Sequence, residues 1–252
     1  MQAAEALGLK AAQAAGVQGE DATAAAALRK LPISAMPYTE PFTARAQPIL
    51  DGTWISSGIA EGFAAGRQAK VPLLTGGNSN EASLFRPQPA QLDLVPEAAR
   101  PSLNAAFDPE NTGDRTKIVH RLSTATLVTE PDRNVARLQS KAGQPVYLYH
   151  FSYVTPAERE KSLGAAHAAE IKYVFGGAAQ KFAPEDVAIS KAMNAYWAAF
   201  AKTGNPGSAG GPAWPRFAPK ETAIEFANDG VHVRDQHQKA RLDWVEQSLA
   251  KR

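Results

Sequence analysis

The stretch Val71-Pro72-Leu73-Leu74-Thr75-Gly76-Gly77-Asn78-Ser79-Asn80-Glu81 decides how this chain is read. Its apolar run, residues 71–75, is too short for a helix, lacks alternation and ends in glycines. It therefore predicts a strand buried on both faces. Pro72 at its start removes only one ladder donor. A second run, Val146-Tyr147-Leu148-Tyr149-His150-Phe151-Ser152-Tyr153, follows Gln144-Pro145 and is filled with β-branched and aromatic residues. It too predicts a strand. Between them, Ile118, Leu122, Ala125 and Val128 fall on one helical face, and Val135 and Leu138 resume the spacing after Pro131, which should kink or divide the helix. Strands joined through long helical segments run parallel.

Outward from this centre the pattern stays mostly helical. The first residues form an Ala-rich run with Leu7 and Leu9 and with Gly16 as a C-cap, and a second helix covers Asp21 to Lys30, ended by Leu31-Pro32. Residues 33–53, with Pro41, Pro48 and Asp51-Gly52, read as loop with one short strand at most. Pro184 and Glu185 open a helix that carries Val187, Met193, Trp197 and Phe200 on one side and stops at Gly204. Ala223–Phe226 and Val231–Val233 flank Asn228-Asp229-Gly230, a hairpin signal. A last helix spans His237 to Lys251, with Leu242, Val245 and Leu249 as its apolar side. Two strong strands and one hairpin are a sparse sheet for 252 residues, the first sign that part of a domain is missing.

Composition removes several functions. The chain has no cysteine, which excludes disulfides, zinc–thiolate sites and thiol nucleophiles. A net charge of +2 with no long basic run or nucleic-acid-binding motif argues against nucleic acid as a partner. No stretch reaches the roughly 18 apolar residues needed to cross a membrane. Glu5 and Lys10 interrupt the first residues, which do not read as a signal peptide. No compartment follows from any of this.

In open parallel sheets, ligands bind beyond the carboxyl ends of the strands. After the first strand comes Glu81; after the second, a loop leads to Gly164-Ala165-Ala166-His167. An acid followed by a histidine is the chain order of hydrolases whose serine lies upstream on a nucleophile elbow. In such a triad the histidine takes the serine proton, and the acid fixes its tautomer and stabilises the imidazolium. Spacing alone is weak support, because a lone Glu after a strand is usually a solvated or capping residue. His120, His150, His232 and His237 read as structural or surface residues. His232, Asp235 and His237 match no strong metal motif.

The resemblance of several blocks is more specific. Residues 71–85, with Gly76, Asn78, Glu81, Ser83 and Phe85 in place, resemble the acid signature of the cholinesterase/type-B carboxylesterase family. Asn80 and Ala82 stand where that signature usually has Asp and Gly. Residues 164–176 resemble its histidine signature, Gly-x-x-His-x-x-Glu-x-x-(Tyr/Phe)-Val-Phe-Gly, throughout. Pro48 to Asp51-Gly52 and the block Trp197, Phe200, Thr203-Gly204-Asn205-Pro206, Trp214-Pro215 are similar to the family in the same order.

The resemblance implies an α/β chain: the C-terminal part of an α/β-hydrolase fold, with a mixed, mostly parallel sheet flanked by helices and a C-terminal hairpin and helix. It implies Glu81 and His167 as catalytic acid and base, with Glu170 as a structural hydrogen-bond partner. It also implies a small-molecule carboxylic ester as substrate, and neither cofactor nor metal. The family's Gly-x-Ser-x-Gly occurs nowhere in the sequence, and Gly76-Gly77, Gly176-Gly177 and Gly210-Gly211 do not replace its oxyanion glycines. Residues 3–32 are similar to the family's helical region beyond the nucleophile. The expectation is a single-domain fragment, residues 1–252, inactive alone. The alternatives are a subunit completing its triad with a separate N-terminal chain, and a non-catalytic esterase-like binding module.

Overall fold

The computed structural model describes residues 2–35, 48–176 and 182–249. The loop reading over residues 36–47, which includes Pro41, lies outside the described residues, as do Gly177 and the end of the last helix at Lys251. The chain forms two compact units, Met1–Arg67 and Gln68–Arg252. In the first, α1 (Gln2–Ala14), α2 (Ala22–Lys30) and α3 (Ile59–Ala64) are the α-helices among its described residues. Asp21 caps α2 through Ala24 N, 2.9 Å away. Ala12, Val17 and Ala24 make its small core, joined by Leu28 and Leu31.

The second unit contains the sheet, ordered β1 (Leu73–Asn78), β2 (Val146–Phe151), β3 (Ala223–Ala227), β4 (Gly230–Arg234). β1 pairs parallel with β2, and β2 pairs parallel with β3. β3 returns antiparallel to β4 through the Asn228-Asp229 turn. Both predicted strands are present. The first starts at Leu73 and runs on through the two glycines to Asn78, so the glycines belong to the strand instead of ending it. Among the described residues β1 has a neighbour on one side only. A terminal strand presents unpaired backbone groups to whatever lies beside it.

The helices are α4 (Arg100–Phe107), α5 (Arg115–Thr124), α6 (Glu130–Lys141), α7 (Ile171–Phe175), α8 (Pro184–Thr203) and α9 (Lys239–Leu249). Pro131 does divide the predicted long helix. It sits in the first turn of α6, and a π-helical turn, Ala125–Thr129, carries the chain from α5 into it. Proline lacks the donor and its ring crowds the carbonyl four residues back, and a wider turn relieves both.

Period-two alternation sorts β2 between two layers. Tyr147 and Phe151 pack with Ile224, Phe226, Met193, Tyr196 and Trp214 in the larger core, against α8. Val146 packs with Ala136 of α6 and Phe217 on the other face. A separate cluster of Phe107, Ile118, Val119, Leu242 and Val245 joins α4, α5 and α9. α9 is also tied to α6: the buried Arg133 guanidinium donates to Asp243 at 2.7 Å and to Glu246 at 3.1 Å. Because this charge is removed from water, loss of one partner costs more than the same loss at the surface.

Candidate active site

Directly after β1 the chain turns into a short 3-10 helix, Glu81–Ser83. The Glu81 carboxylate is only 8% exposed, and its Oε1 accepts from the Asn78 backbone N at 2.7 Å. Its Oε2 lies 2.5 Å from His167 Nδ1. An ionised carboxylate can only accept, so a neutral His167 ring must carry its proton on Nδ1 and leave Nε2 as acceptor. The imidazole is 47% exposed, and Nε2 has no partner among the described residues.

The histidine arrives from β2 through a loop that is stitched to the acid loop. Asn80 N donates to Ala165 O at 2.9 Å. Ala165 N donates to Ser79 Oγ at 2.8 Å. His167 N donates to Ser83 Oγ at 2.9 Å. Gly164, at φ +138°, leaves no room for a β-carbon, which would stand 2.7 Å from Ser79 Oγ. Ala168, next to His167, holds a left-handed φ of +63°. Such a conformation costs a non-glycine residue about 1–2 kcal/mol, and the surrounding bonds hold it in place.

Two polar side chains brace the pair. Asn78, wholly buried, donates from Nδ2 to Glu170 Oε2 at 2.5 Å and to Ala166 O at 2.7 Å. Glu170 is therefore a hydrogen-bond partner of the loop, in the role the resemblance implies. Asn80 Oδ1 lies 2.8 Å from His120 Nδ1 on α5. Burial pushes the His120 pKa down, which favours the neutral ring beside that amide. Ala82, standing where the signature has glycine, is fully buried in the 3-10 helix at no positive φ, so the substitution leaves the loop unstrained.

The structure adds a residue that no motif marked. Asp132 of α6 accepts from Thr75 Oγ1 at 3.1 Å, while its Oδ2 is buried without a partner. Across Gly77 it faces the acid: a β-carbon built there would lie 3.3 Å from Glu81 Oε1 and 3.6 Å from Asp132 Oδ2. Burial pushes the Asp132 pKa up from 3.8 to about 7, opposed by the Thr75 bond and reinforced by the Glu81 charge. Below 3.8 the carboxyl is protonated whether folded or not. Between 3.8 and about 7 only the folded state retains the proton, so this group's contribution makes stability fall as pH rises through that window, then level off. Asp132→Asn is expected to remove that decline, by an amount on the order of a few kcal/mol. Urea denaturation of both proteins across that pH range checks it; parallel profiles would rule the effect out.

The other histidines lie elsewhere. His232 pairs with Asp229 at 2.9 Å on the exposed hairpin, and Asp235 bonds Thr222 at 2.7 Å. His237 instead meets His150, their ring centroids 4.6 Å apart. The spacing of His232, Asp235 and His237 in sequence thus brings no three ligands together. Among the described residues no helix is long and apolar enough to cross a membrane.

Comparison with known proteins gives the fold and the family of the chain. The carboxylesterase Est55 of Geobacillus stearothermophilus superposes with a TM-score of 0.74 at 24% identity, over 96% of this chain and 54% of that one. Aspergillus niger EstA superposes with a TM-score of 0.73 at 16% identity, over 98% and 55%. The fold is that of an α/β-hydrolase. The profile of the carboxylesterase family matches residues 92–245, more than half of the sequence, and the chain belongs to that family. Rabbit (Oryctolagus cuniculus) liver carboxylesterase 1 is 30% identical over 159 residues, which is 61% of this chain and 28% of that protein. Bovine (Bos taurus) carboxylesterase 4A is 35% identical over 108 residues, 40% of this chain and 20% of that protein. The chain thus spans under a third of these curated relatives and about half of the solved structures.

Proposed function

We propose that this chain supplies the acid and base of a Ser-His-Glu carboxylic ester hydrolase, with the nucleophile coming from polypeptide outside these 252 residues. The observation that carries the reading is the Glu81–His167 pair at 2.5 Å with the far ring nitrogen free. His167 Nε2 accepts the proton of a serine hydroxyl as the oxygen attacks the ester carbonyl. The same nitrogen returns it to the leaving alcohol, then repeats the exchange with water to release the acid. Glu81 holds the tautomer and stabilises the imidazolium in both halves. The proposed substrate is a small-molecule carboxylic ester, and side chains with water suffice for the chemistry.

The missing parts set the expected behaviour. Loss of the serine alone costs a triad enzyme on the order of 10⁶ in turnover, and the oxyanion donors are absent too. The chain by itself is expected to hydrolyse p-nitrophenyl acetate no faster than a His167→Ala control. Clear turnover abolished by that substitution would overturn the reading. Activity that appears on mixing with an N-terminal chain carrying Gly-x-Ser-x-Gly would identify a two-subunit enzyme. A Gly-x-Ser-x-Gly reading frame immediately upstream of Met1 would identify one longer polypeptide. If neither is found, the esterase-like binding module is the reading that remains.

A further inference from the structure

On the face of the sheet that Gly77 occupies, the strand register aligns His150 of β2 with Glu225 of β3. His237 reaches the same point from the segment before α9. One ligand atom from each of these three side chains lies within 4.8 Å of the others. This cluster belongs to a different rung and different elements from Glu81 and His167, and the triad chemistry makes no use of it.

Three further observations converge there. First, His150 is only 4% exposed, yet its Nδ1 has no hydrogen-bond partner. A buried ring nitrogen left alone calls for a water, an ion or a catalytic role. Second, Gln238 Nε2 sits 3.0 Å from His150 Nε2 and 3.2 Å from His237 Nε2, so a single amide spans both rings. Third, the residues on either side of His237 are left-handed without being glycine: Gln236 at φ +51° and Gln238 at φ +55°. Each costs about 1–2 kcal/mol. The backbone is bent at two points that bracket a single residue, and the result is that His237 and Gln238 both face His150.

We propose that His150, Glu225 and His237 bind one divalent cation of the Zn²⁺ or Co²⁺ type, with the Gln238 amide oxygen or a water as fourth ligand, so that the metal clips the start of α9 to the sheet. Two imidazoles and one carboxylate are a ligand set that zinc takes in tetrahedral sites. Zinc–ligand bonds of about 2.0–2.2 Å put neighbouring ligand atoms roughly 3.3 Å apart, so the three must draw in by about 1.5 Å at most. Rotation of the Gln238 amide by half a turn exchanges its donor for an acceptor.

The outer partners suit the role. Glu225 Oε1 accepts from Ser152 Oγ at 2.8 Å and Oε2 from Arg234 Nε at 2.9 Å. Each oxygen keeps a second lone pair, and such bonds orient a ligating carboxylate. The guanidiniums of Arg234 and Arg241 also lie near the rings. They oppose a cation held by charge alone, which selects ions that form strong bonds to nitrogen over Mg²⁺ or Ca²⁺.

Equilibrium dialysis of the chain against ZnCl₂ and against MgCl₂ tests the proposal, with CoCl₂ giving the geometry from its visible absorption. One Zn²⁺ per chain is expected at micromolar free metal, no Mg²⁺, and a Co²⁺ spectrum of tetrahedral intensity. Losing an outer partner of a metal site costs 10–100-fold in affinity, so losing a ligand should cost at least about 100-fold. His237→Ala and the near-isosteric Glu225→Gln are both expected to show that loss, with far-UV circular dichroism unchanged in at least the latter. His232→Ala, on the exposed hairpin, should leave stoichiometry and affinity alone. No saturable Zn²⁺ binding at micromolar concentration, or binding that survives Glu225→Gln but falls with His232→Ala, would overturn it. None of these readouts depends on esterase activity.

Discussion

Once a serine nucleophile is supplied, as a longer chain or as a second polypeptide, His167→Ala should lower ester turnover by on the order of 10⁶. Glu81→Gln should lower it by on the order of 10⁴. The two effects differ because the residues do different work. Without the imidazole there is no group within reach to accept the serine proton, and the remaining residues act on nothing. After Glu81→Gln the imidazole is present but misdirected. The glutamate Oε2 that now accepts from Nδ1 at 2.5 Å can be replaced by an amide nitrogen, which donates. The ring then protonates Nε2, the nitrogen that must accept, and the developing imidazolium loses its counter-charge.

The substituted amide can avoid this by turning its oxygen to the ring, but the Asn78 backbone N opposes the turn. That N–H donates to Glu81 Oε1 at 2.7 Å and would face an amide nitrogen instead. The loss on Glu81→Gln should therefore appear in kcat far more than in KM, since neither ring nitrogen is needed to bind the ester. Proton NMR of the chain alone gives an independent reading. The Nδ1 proton held against Glu81 should resonate far downfield in the wild type and disappear from that region in Glu81→Gln. A turnover within tenfold of wild type for His167→Ala would remove the histidine from the mechanism.

How much of this can be read from sequence depends on how local each feature is. The Glu81–His167 pair is legible through the family blocks that carry the two residues; that each follows a strand, and that parallel strands deliver their ends to one edge, is weak support by itself. The Pro131 division is legible because proline acts on its own turn. Asp132 is not. Its sequence neighbours, Glu130-Pro131 and Arg133-Asn134, give no sign of a core position, and its burial arises because the π-helical turn sets α6 against β1. The grouping of His150 with Glu225 is hidden for another reason. It requires the β2–β3 register, and a slip of one residue would send His150 to the opposite face. His237 joins them through two left-handed glutamines, a conformation for which glutamine gives no sequence signal. The strand glycines read as an end signal because glycine usually breaks strands, whereas here Gly76 and Gly77 let neighbouring groups approach.

That approach predicts a large stability effect. Gly76→Ala would place a β-carbon 2.1 Å from the Tyr149 carbonyl oxygen and 2.6 Å from Cδ1 of its ring. Neither atom can yield cheaply. The oxygen belongs to the partner backbone in the Gly76↔Tyr149 pair, and the ring lies edge-on to Trp197 at 5.1 Å between centroids. The strands must part at this rung. The rung lies only two residues before Asn78, whose backbone and side chain position Glu81 and the histidine loop. Clashes of this kind cost upward of about 4 kcal/mol, a large share of the roughly 5–15 kcal/mol that holds a domain folded. Gly76→Ala should therefore lower the urea midpoint markedly, or leave a chain without the near-ultraviolet dichroism of its buried aromatic cluster. Gly8→Ala, in α1 with nothing within 4 Å of its new carbon, should raise stability by about 0.5–1 kcal/mol. The contrast separates close approach from glycine content as such. A Gly76→Ala protein that unfolds at the wild-type urea concentration would mean that β1 and β2 do not meet in this register, and the placement of Glu81 against His167 would lose its physical basis.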